Sequence, residues 1–340
     1  VALSSCLYIL LALFLLVSPP ARSACPPDTL FVSRVNTAVE ACIRQDWPRA
    51  MRIMNRLVEE APWHPAPWFF RATVHSYRMT DEESFRWERP FLADLDSAQA
   101  RISWLAAHAD RRVPARTRRY LEGNVAAWRA YHAGRREQYP TALRQGLRAS
   151  STWEELLKDC PEWADLELGL GNLRFWTSVR LKRVDWLPFV EDRRVEGMRQ
   201  VERARREGLY SPWLPAANLC WIYLEMGQPE STLSLCRQAL ERFPGSRLFL
   251  FPQVDALEAL GRWKEADACC RSIETSLAAD SWPQRVNKVL VLEKRSSLAA
   301  KSGDAAQAAR LSRQALSLPL EPQERERLKE KLELLRRRAR

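Results

Sequence analysis

Apolar residues along this chain recur every three or four positions, in runs separated by short polar turns. Leu92, Leu95, Ala98, Ile102 and Leu105 keep this spacing, as do Leu328, Leu332 and Leu335 near the C-terminus. Such spacing predicts helices with one buried face. Thr80-Asp81-Glu82-Glu83 reads as a capping box opening the first of these helices. A second long helix is expected from Pro114 to Ala133, and the Glu154-Glu155 pair reads as the opening of another. Patterns that alternate with period two are nearly absent, so the chain is expected to be all-α.

The helical segments repeat. Gly227 and Gly261 lie about 34 residues apart in matching surroundings, and that period belongs to stacked helical hairpins. Thr232 and Ala266 follow their glycines at one offset, and Ala239 and Ile273 at another. Asp46-Trp47-Pro48-Arg49-Ala50 copies Arg262-Trp263-Lys264-Glu265-Ala266, and Leu57 and Pro62 then fall where Ala239 and Pro244 fall. Gly303-Asp304 leads to Ala308 and Ala315 in the same way, and Arg313-Gln314-Ala315-Leu316 repeats Arg237-Gln238-Ala239-Leu240. Leu219, Cys220 and Tyr223 precede Gly227 as a first helix, while Trp68 with Ala72 and Leu170-Gly171 open others.

Trp, Leu-Gly, Tyr, Gly, Ala, an aromatic, Ala and Pro at these offsets resemble the tetratricopeptide repeat. Small residues let facing helices approach, the glycine ends the first helix in a left-handed turn, and the proline stops the second. One hairpin cannot bury its own apolar stripe, so the expected architecture is an α-solenoid of about seven hairpins. The match is close over residues 213–319 and good over 32–77. Over 78–210 it weakens into long, irregular helices, and residues 321–340 read as a solvating terminal cap. The chain also resembles a group of bacterial envelope tetratricopeptide proteins that share a long insertion around Trp186-Leu187-Pro188.

Leu7 to Val17 is an uncharged apolar run of about eleven residues, short for a membrane span and suited to a signal peptide. Small residues Ala21 and Ser23 place cleavage before Ala24, so residues 1–23 are the expected leader and 24–340 the solenoid. An uncleaved anchor is one alternative. Lipid attachment at Cys25 is another, although Arg22 stands where an aliphatic residue is usual. Either form places the chain in the periplasm or cell envelope, with membrane contact through the leader or the lipid alone.

Composition narrows the chemistry. The formal net charge is +11, carried mostly by arginine, which is compatible with an acidic partner; solvated helix faces are the preferred account of it, and secretion argues against nucleic acid. Cys220, Cys236, Cys269 and Cys270 fall within repeat helices as packing residues. In an oxidising compartment Cys220 and Cys236 are the first pair to consider for a disulfide. His64, His75, His108 and His132 are scattered, so no metal site is expected. No phosphate loop, nucleophile elbow or zinc-hydrolase helix is found, so no catalytic residue and no cofactor is assigned.

The expected function is therefore a non-enzymatic scaffold that binds a protein or peptide. The alternatives are a lipoprotein or accessory factor of a transport, outer-membrane assembly or cell-wall enzyme complex, and an enzyme with a cryptic site. In tetratricopeptide proteins the first helix of each repeat lines the concave groove. By offset the resemblance implies Phe69, Thr73 and Tyr77, then Asn172, Phe175 and Trp176, and then Asn218, Trp221, Asp255 and Glu258. Packing between helices is the competing role for the aromatics. The insertion offers Trp186, Phe189, Asp192 and Arg193, either as a binding segment or as a plug in which Asp192 pairs locally with Arg193 or Arg194.

Overall fold

The computed structural model describes residues 29–181 and 191–340. Among the described residues there are sixteen α-helices and no strand. They form consecutive antiparallel hairpins, each packed on the next. The first hairpin is α1 (Val32–Ile43) with α2 (Trp47–Glu60), and the second is α3 (Pro65–Asp81) with α4 (Glu88–Ala107). The next two are α5 (Ala115–Arg135) with α6 (Tyr139–Asp159), and α7 (Asp165–Leu181) with α8 (Arg194–Glu207). The regular repeats follow: α9 (Trp213–Glu225) with α10 (Pro229–Arg242), α11 (Arg247–Ala259) with α12 (Trp263–Ala278), and α13 (Arg285–Lys301) with α14 (Ala305–Leu316). A cap of α15 (Pro322–Arg327) and α16 (Lys329–Arg338) ends the stack, with α16 packed on α13 and α14.

Local chemistry starts and stops these helices. Asp46 and Asp304 accept the backbone N–H of Arg49 and Gln307 at 3.1 and 2.8 Å, capping the second helices of their hairpins. Prolines stand in the first turn of α2, α3, α6, α10 and α15, where no helical N–H is lost. Within a hairpin the first helix ends in one recurring turn. Gly227, Gly261 and Gly303 have φ of 73, 69 and 86°. The N–H after each reaches back to the carbonyl of Tyr223, Leu257 or Ala299, which is a Schellman closure.

The divergent hairpins use the same turn without glycine. Gln45, Glu83 and Glu137 have φ of 57, 48 and 59°, and the N–H of the following residue bonds to Ala41, Met79 or Ala133. The period therefore continues through part of the 78–210 stretch, hidden because glutamate and glutamine occupy the left-handed position. Thr80-Asp81-Glu82-Glu83 is accordingly not a helix start. It ends α3, with the Thr80 hydroxyl bonded back to Ser76 and Glu82 holding Arg78 and the Trp87 indole. Glu154 and Glu155 likewise sit in the last turns of α6 rather than opening a helix.

Close helix contacts depend on missing side chains. A Cβ on Gly171 would stand 2.6 Å from the Gly197 carbonyl, and one on Gly197 would stand 2.5 Å from the Gly171 carbonyl. These two glycines let the backbones of α7 and α8 touch. The buried core then runs without a break from Phe31 in the first hairpin to Phe249 in the sixth.

That continuity reflects the main departure from a simple stack, because the coil returns onto its own beginning. The Asn36 amide accepts the N–H of Ser211 at 2.8 Å and donates to the Leu209 carbonyl at 3.2 Å. Glu40 pairs with Arg242 at 2.7 Å, and the Ser246 hydroxyl donates to the Ile43 carbonyl at 2.7 Å. The strongest link is Arg247, whose side chain is 1% exposed. Its guanidinium donates to both carboxylate oxygens of Asp81 at 2.9 and 2.6 Å, to the Ser276 carbonyl at 3.1 Å, and pairs with Asp280 at 2.8 Å. Asn287 binds the Asp81 carbonyl at 2.6 Å, and Arg327 binds the Glu83 carbonyl at 2.6 Å. Hairpins one and two are thus fastened to hairpins five, six and seven and to the cap.

Burial raises the Asp81 carboxyl above the usual aspartate range against the opposing pull of Arg247. Removing one partner from such a buried pair leaves an uncompensated charge, which costs about 3–5 kcal/mol. Arg247→Met or Asp81→Asn is therefore expected to lower the urea midpoint strongly, whereas Arg271→Ala, at an exposed helix pair, leaves it near the parent value. The turn chemistry predicts the opposite sign elsewhere. Glu137 is exposed and its side chain makes no hydrogen bond or ion pair among the described residues. Glu137→Gly should raise stability by up to about 1 kcal/mol, read by the same denaturation curve.

Candidate binding site

The first helices expected to line a groove are largely committed to packing. Phe69 is 4% and Phe175 0% exposed, so both are core residues and present no face to a ligand. Thr73 is buried with its hydroxyl bonded to the Phe69 carbonyl, and Tyr77 packs edge-on against Trp128. Burial pushes the Tyr77 phenol well above its ordinary value. Trp176 is half-buried against Phe175, with ring centroids 5.0 Å apart. Asn172 and Asn218 spend their amide N–H on the carbonyls of Leu168 and Leu214, each at 2.8 Å.

Of the expected groove set, Trp221 stands out as an exposed aromatic, at 38%. Asp255 and Glu258 are matched by cations from the next repeat: Lys294 lies 2.9 Å from Asp255 and 2.7 Å from Glu258, and Lys301 lies 2.8 Å from Glu258. Against burial, which acts the other way, the lysine hydrogen bonds hold the Glu258 carboxyl below its usual range. These acids lock α11 to α13. Sequence offsets alone could not reveal this, because the lysines lie about one repeat further along the chain.

An open cleft of about 430 Å³ lies elsewhere, among α6, α7 and α8, and is lined by Glu154, Leu157, Lys158, Arg174 and Arg193. Arg174 is the most buried charged side chain of its arginine–glutamate cluster, at 13% exposed. The guanidinium bridges Glu154 at 2.8 Å and Glu196 at 2.6 Å, while its buried Nε has no hydrogen-bond partner among the described residues. Arg193 is held by Glu196 at 2.7 Å, and its backbone N–H donates to the Ser178 hydroxyl at 3.0 Å. Hydrogen bonding to Arg193 lowers the Glu196 carboxyl, against the effect of its own burial. Lys158 is exposed at the rim, and Leu157 supplies a half-buried apolar wall. The cleft thus presents a fixed pattern of both charge signs beside one apolar surface.

Among the described members of the expected insertion set, Arg193 lines this cleft and Asp192 does not. Asp192 instead accepts the backbone N–H of Arg194 at 3.0 Å and pairs with its guanidinium at 2.6 Å, the local pairing allowed for in the sequence. Trp186 and Phe189 lie outside the described residues. Leu157 and Lys158 had no signal in the sequence, since they meet the cleft's arginines only where the helices converge.

The cysteines resolve in two ways. Cys42, Cys220, Cys236, Cys269 and Cys270 are free and buried, and the expected Cys220–Cys236 pair is an unbonded contact of sulfur atoms 3.6 Å apart. Burial raises the Cys42 and Cys269 thiols to about 12, so these two packing thiols are poor nucleophiles. Cys160, fully buried, is disulfide-bonded. No group of His, Cys, Asp and Glu suited to a metal ion occurs among the described residues, nor does a helix there have the length and apolarity to cross a membrane.

Neither the protein-family models nor the curated proteins include a match to this chain. Its structural neighbours are tetratricopeptide repeat proteins. One, from Parabacteroides merdae, is 14% identical with a TM-score of 0.41, the match covering 89% of this chain and 98% of that one. The C-terminal part of a repeat-containing protein from Cytophaga hutchinsonii is 13% identical with a TM-score of 0.39, covering 86% and 98%. Yeast Tom70 is 11% identical with a TM-score of 0.26, covering 90% and 88%. The class of the present chain, a tetratricopeptide-like α-solenoid, rests on its own hairpins and their turns.

Peptide mapping without reductant is expected to recover the Cys160 peptide in crosslinked form, to release it on reduction, and to identify the second cysteine. The Cys220 and Cys236 peptides should map as free thiols that alkylate only after unfolding.

Proposed function

We propose that this chain is a protein- or peptide-binding scaffold of the cell envelope, and that its partner docks in the cleft among α6, α7 and α8. The cleft supports this reading most directly. It is open, and its charged groups are held in place by one another, so a ligand meets a preorganised surface. The inner-face candidates, by contrast, are mostly spent on packing and on ion pairs with the next repeat. A bridged pair of guanidinium groups beside Leu157 suits a segment bearing a carboxylate next to an apolar side chain. The leader-like Leu7–Val17 run and the disulfide at Cys160 both favour export to an oxidising compartment.

A photo-crosslinking amino acid at Leu157, in the full chain expressed in cells, is the direct test. A discrete adduct is expected at Leu157, weakened by Arg174→Glu or Arg193→Glu and little affected by Asp255→Ala. Adducts from the same label at Trp221 with none at Leu157 would move the site to the inner face and overturn the assignment.

A further inference from the structure

We propose that Cys25 is the disulfide partner of Cys160, so that the start of the mature chain is stapled to the turn between α6 and α7 and carries no lipid. The chain has eight cysteines, and Cys160 is disulfide-bonded. Cys42, Cys220, Cys236, Cys269 and Cys270 are free. That leaves Cys6 and Cys25, both outside the described residues, to supply the second sulfur. This bond is independent of the cleft and of any ligand there; it shares with the proposed function only the oxidising compartment.

The fold selects Cys25. It stands five residues before Leu30, which leads into α1, so at most about 18 Å of extended chain separates them. Hydrogen bonds bring α1 and the residues after Cys160 onto one shared turn, 209–211. From α1, the Asn36 amide holds Leu209 and Ser211. From the start of α7, the Asp165 carboxylate accepts the N–H groups of Leu209 and Tyr210 at 3.1 and 3.2 Å. Asp165 follows Cys160 by five residues, and between them the Trp163 N–H donates back to the Cys160 carbonyl at 3.1 Å. Phe31, 6% exposed and edge-on to His64 with ring centroids 4.9 Å apart, fixes the entry into α1. Cys6, by contrast, lies beyond the apolar run Leu7–Val17 and goes with the leader when the chain is cut before Ala24.

The bond forms by a two-electron oxidation. Each thiol loses a proton and an electron as the S–S bond is made, and a disulfide oxidant, either an oxidoreductase or oxidised glutathione, takes up both pairs and leaves as two thiols. A sulfur committed to this bond cannot also carry the thioether of a lipoprotein, so the lipid alternative for Cys25 falls away. Cys160 is 0% exposed, in the core that also holds Leu156, Trp163 and Leu166. A thiolate must reach a sulfur to cleave the bond, so burial protects it in the folded chain and makes it a structural staple rather than a redox switch. It adds a covalent join to the seam where Asn36 already ties α1 to residues 209–211.

Two measurements on the full chain test the staple. In the first, the purified chain is reduced, then refolded in oxidised and reduced glutathione and digested without reductant. A linked Cys25–Cys160 peptide is expected, lighter by two hydrogen atoms than its separate thiol forms and split by reductant. Cys25→Ser should abolish it and leave Cys160 open to alkylation in denaturant, whereas Cys6→Ser should leave it unchanged. Because glutathione supplies the oxidant, this result is separate from whether the chain resides in the envelope or binds a partner in its cleft. In the second, the chain is expressed with its own leader in a bacterium, and its Cys25 peptide should carry no diacylglyceryl mass and again be linked to Cys160. Cys25 and Cys160 both recovered as thiols, Cys160 joined to Cys6 or to a second chain, Cys160 still crosslinked in Cys25→Ser, or a lipid on Cys25 would each overturn the proposal.

Discussion

A guanidinium removed from water must be matched on every side, and in this chain matching one guanidinium determines how the solenoid closes. Arg247 opens the sixth hairpin, yet its carboxylate partners come from the end of α3 and from the residues after α12. A stack of hairpins contacting only their neighbours could not supply both. The pair is satisfied only when the coil has returned to its start, so the electrostatic requirement and the closed shape are one constraint. Around it, Asn36, Glu40, Ile43 and Gln45 repeat the same join with hydrogen bonds to residues about two hundred positions away.

Closure redistributes the usable surface. In an open superhelix the first helices face a continuous groove, and resemblance to tetratricopeptide repeats pointed there. Here Phe69 and Phe175 are inside the core, and Asp255 and Glu258 are tied to Lys294 and Lys301. What stays open is the region where the period breaks. There the long α6 meets α7 and α8 around Arg174, and its first turns stand free.

The all-α class, the hairpin count and the C-terminal repeats were legible because glycine marks their turns. Gly227, Gly261 and Gly303 announce a left-handed residue that few other side chains adopt. Gln45, Glu83 and Glu137 adopt it without announcing it, which made the turn at Thr80–Glu83 look like a helix start. The join to Arg247 was illegible for a different reason. Its members are ordinary polar residues, and neither propensity nor periodicity marks a contact between helices far apart in sequence. The cleft shares that limit: Arg193 was singled out from the insertion, but Arg174 and Leu157 acquire meaning only from the packing of three helices.

Small-angle X-ray scattering tests the closed coil most directly. A compact chain of this length has a radius of gyration of about 20 Å. The closed arrangement predicts a value near this, with a distance distribution lacking an extended tail, in the parent protein. A clearly larger radius with a long tail, at a protein concentration where the chain is monomeric, would show a solenoid that does not return on itself and would contradict the account.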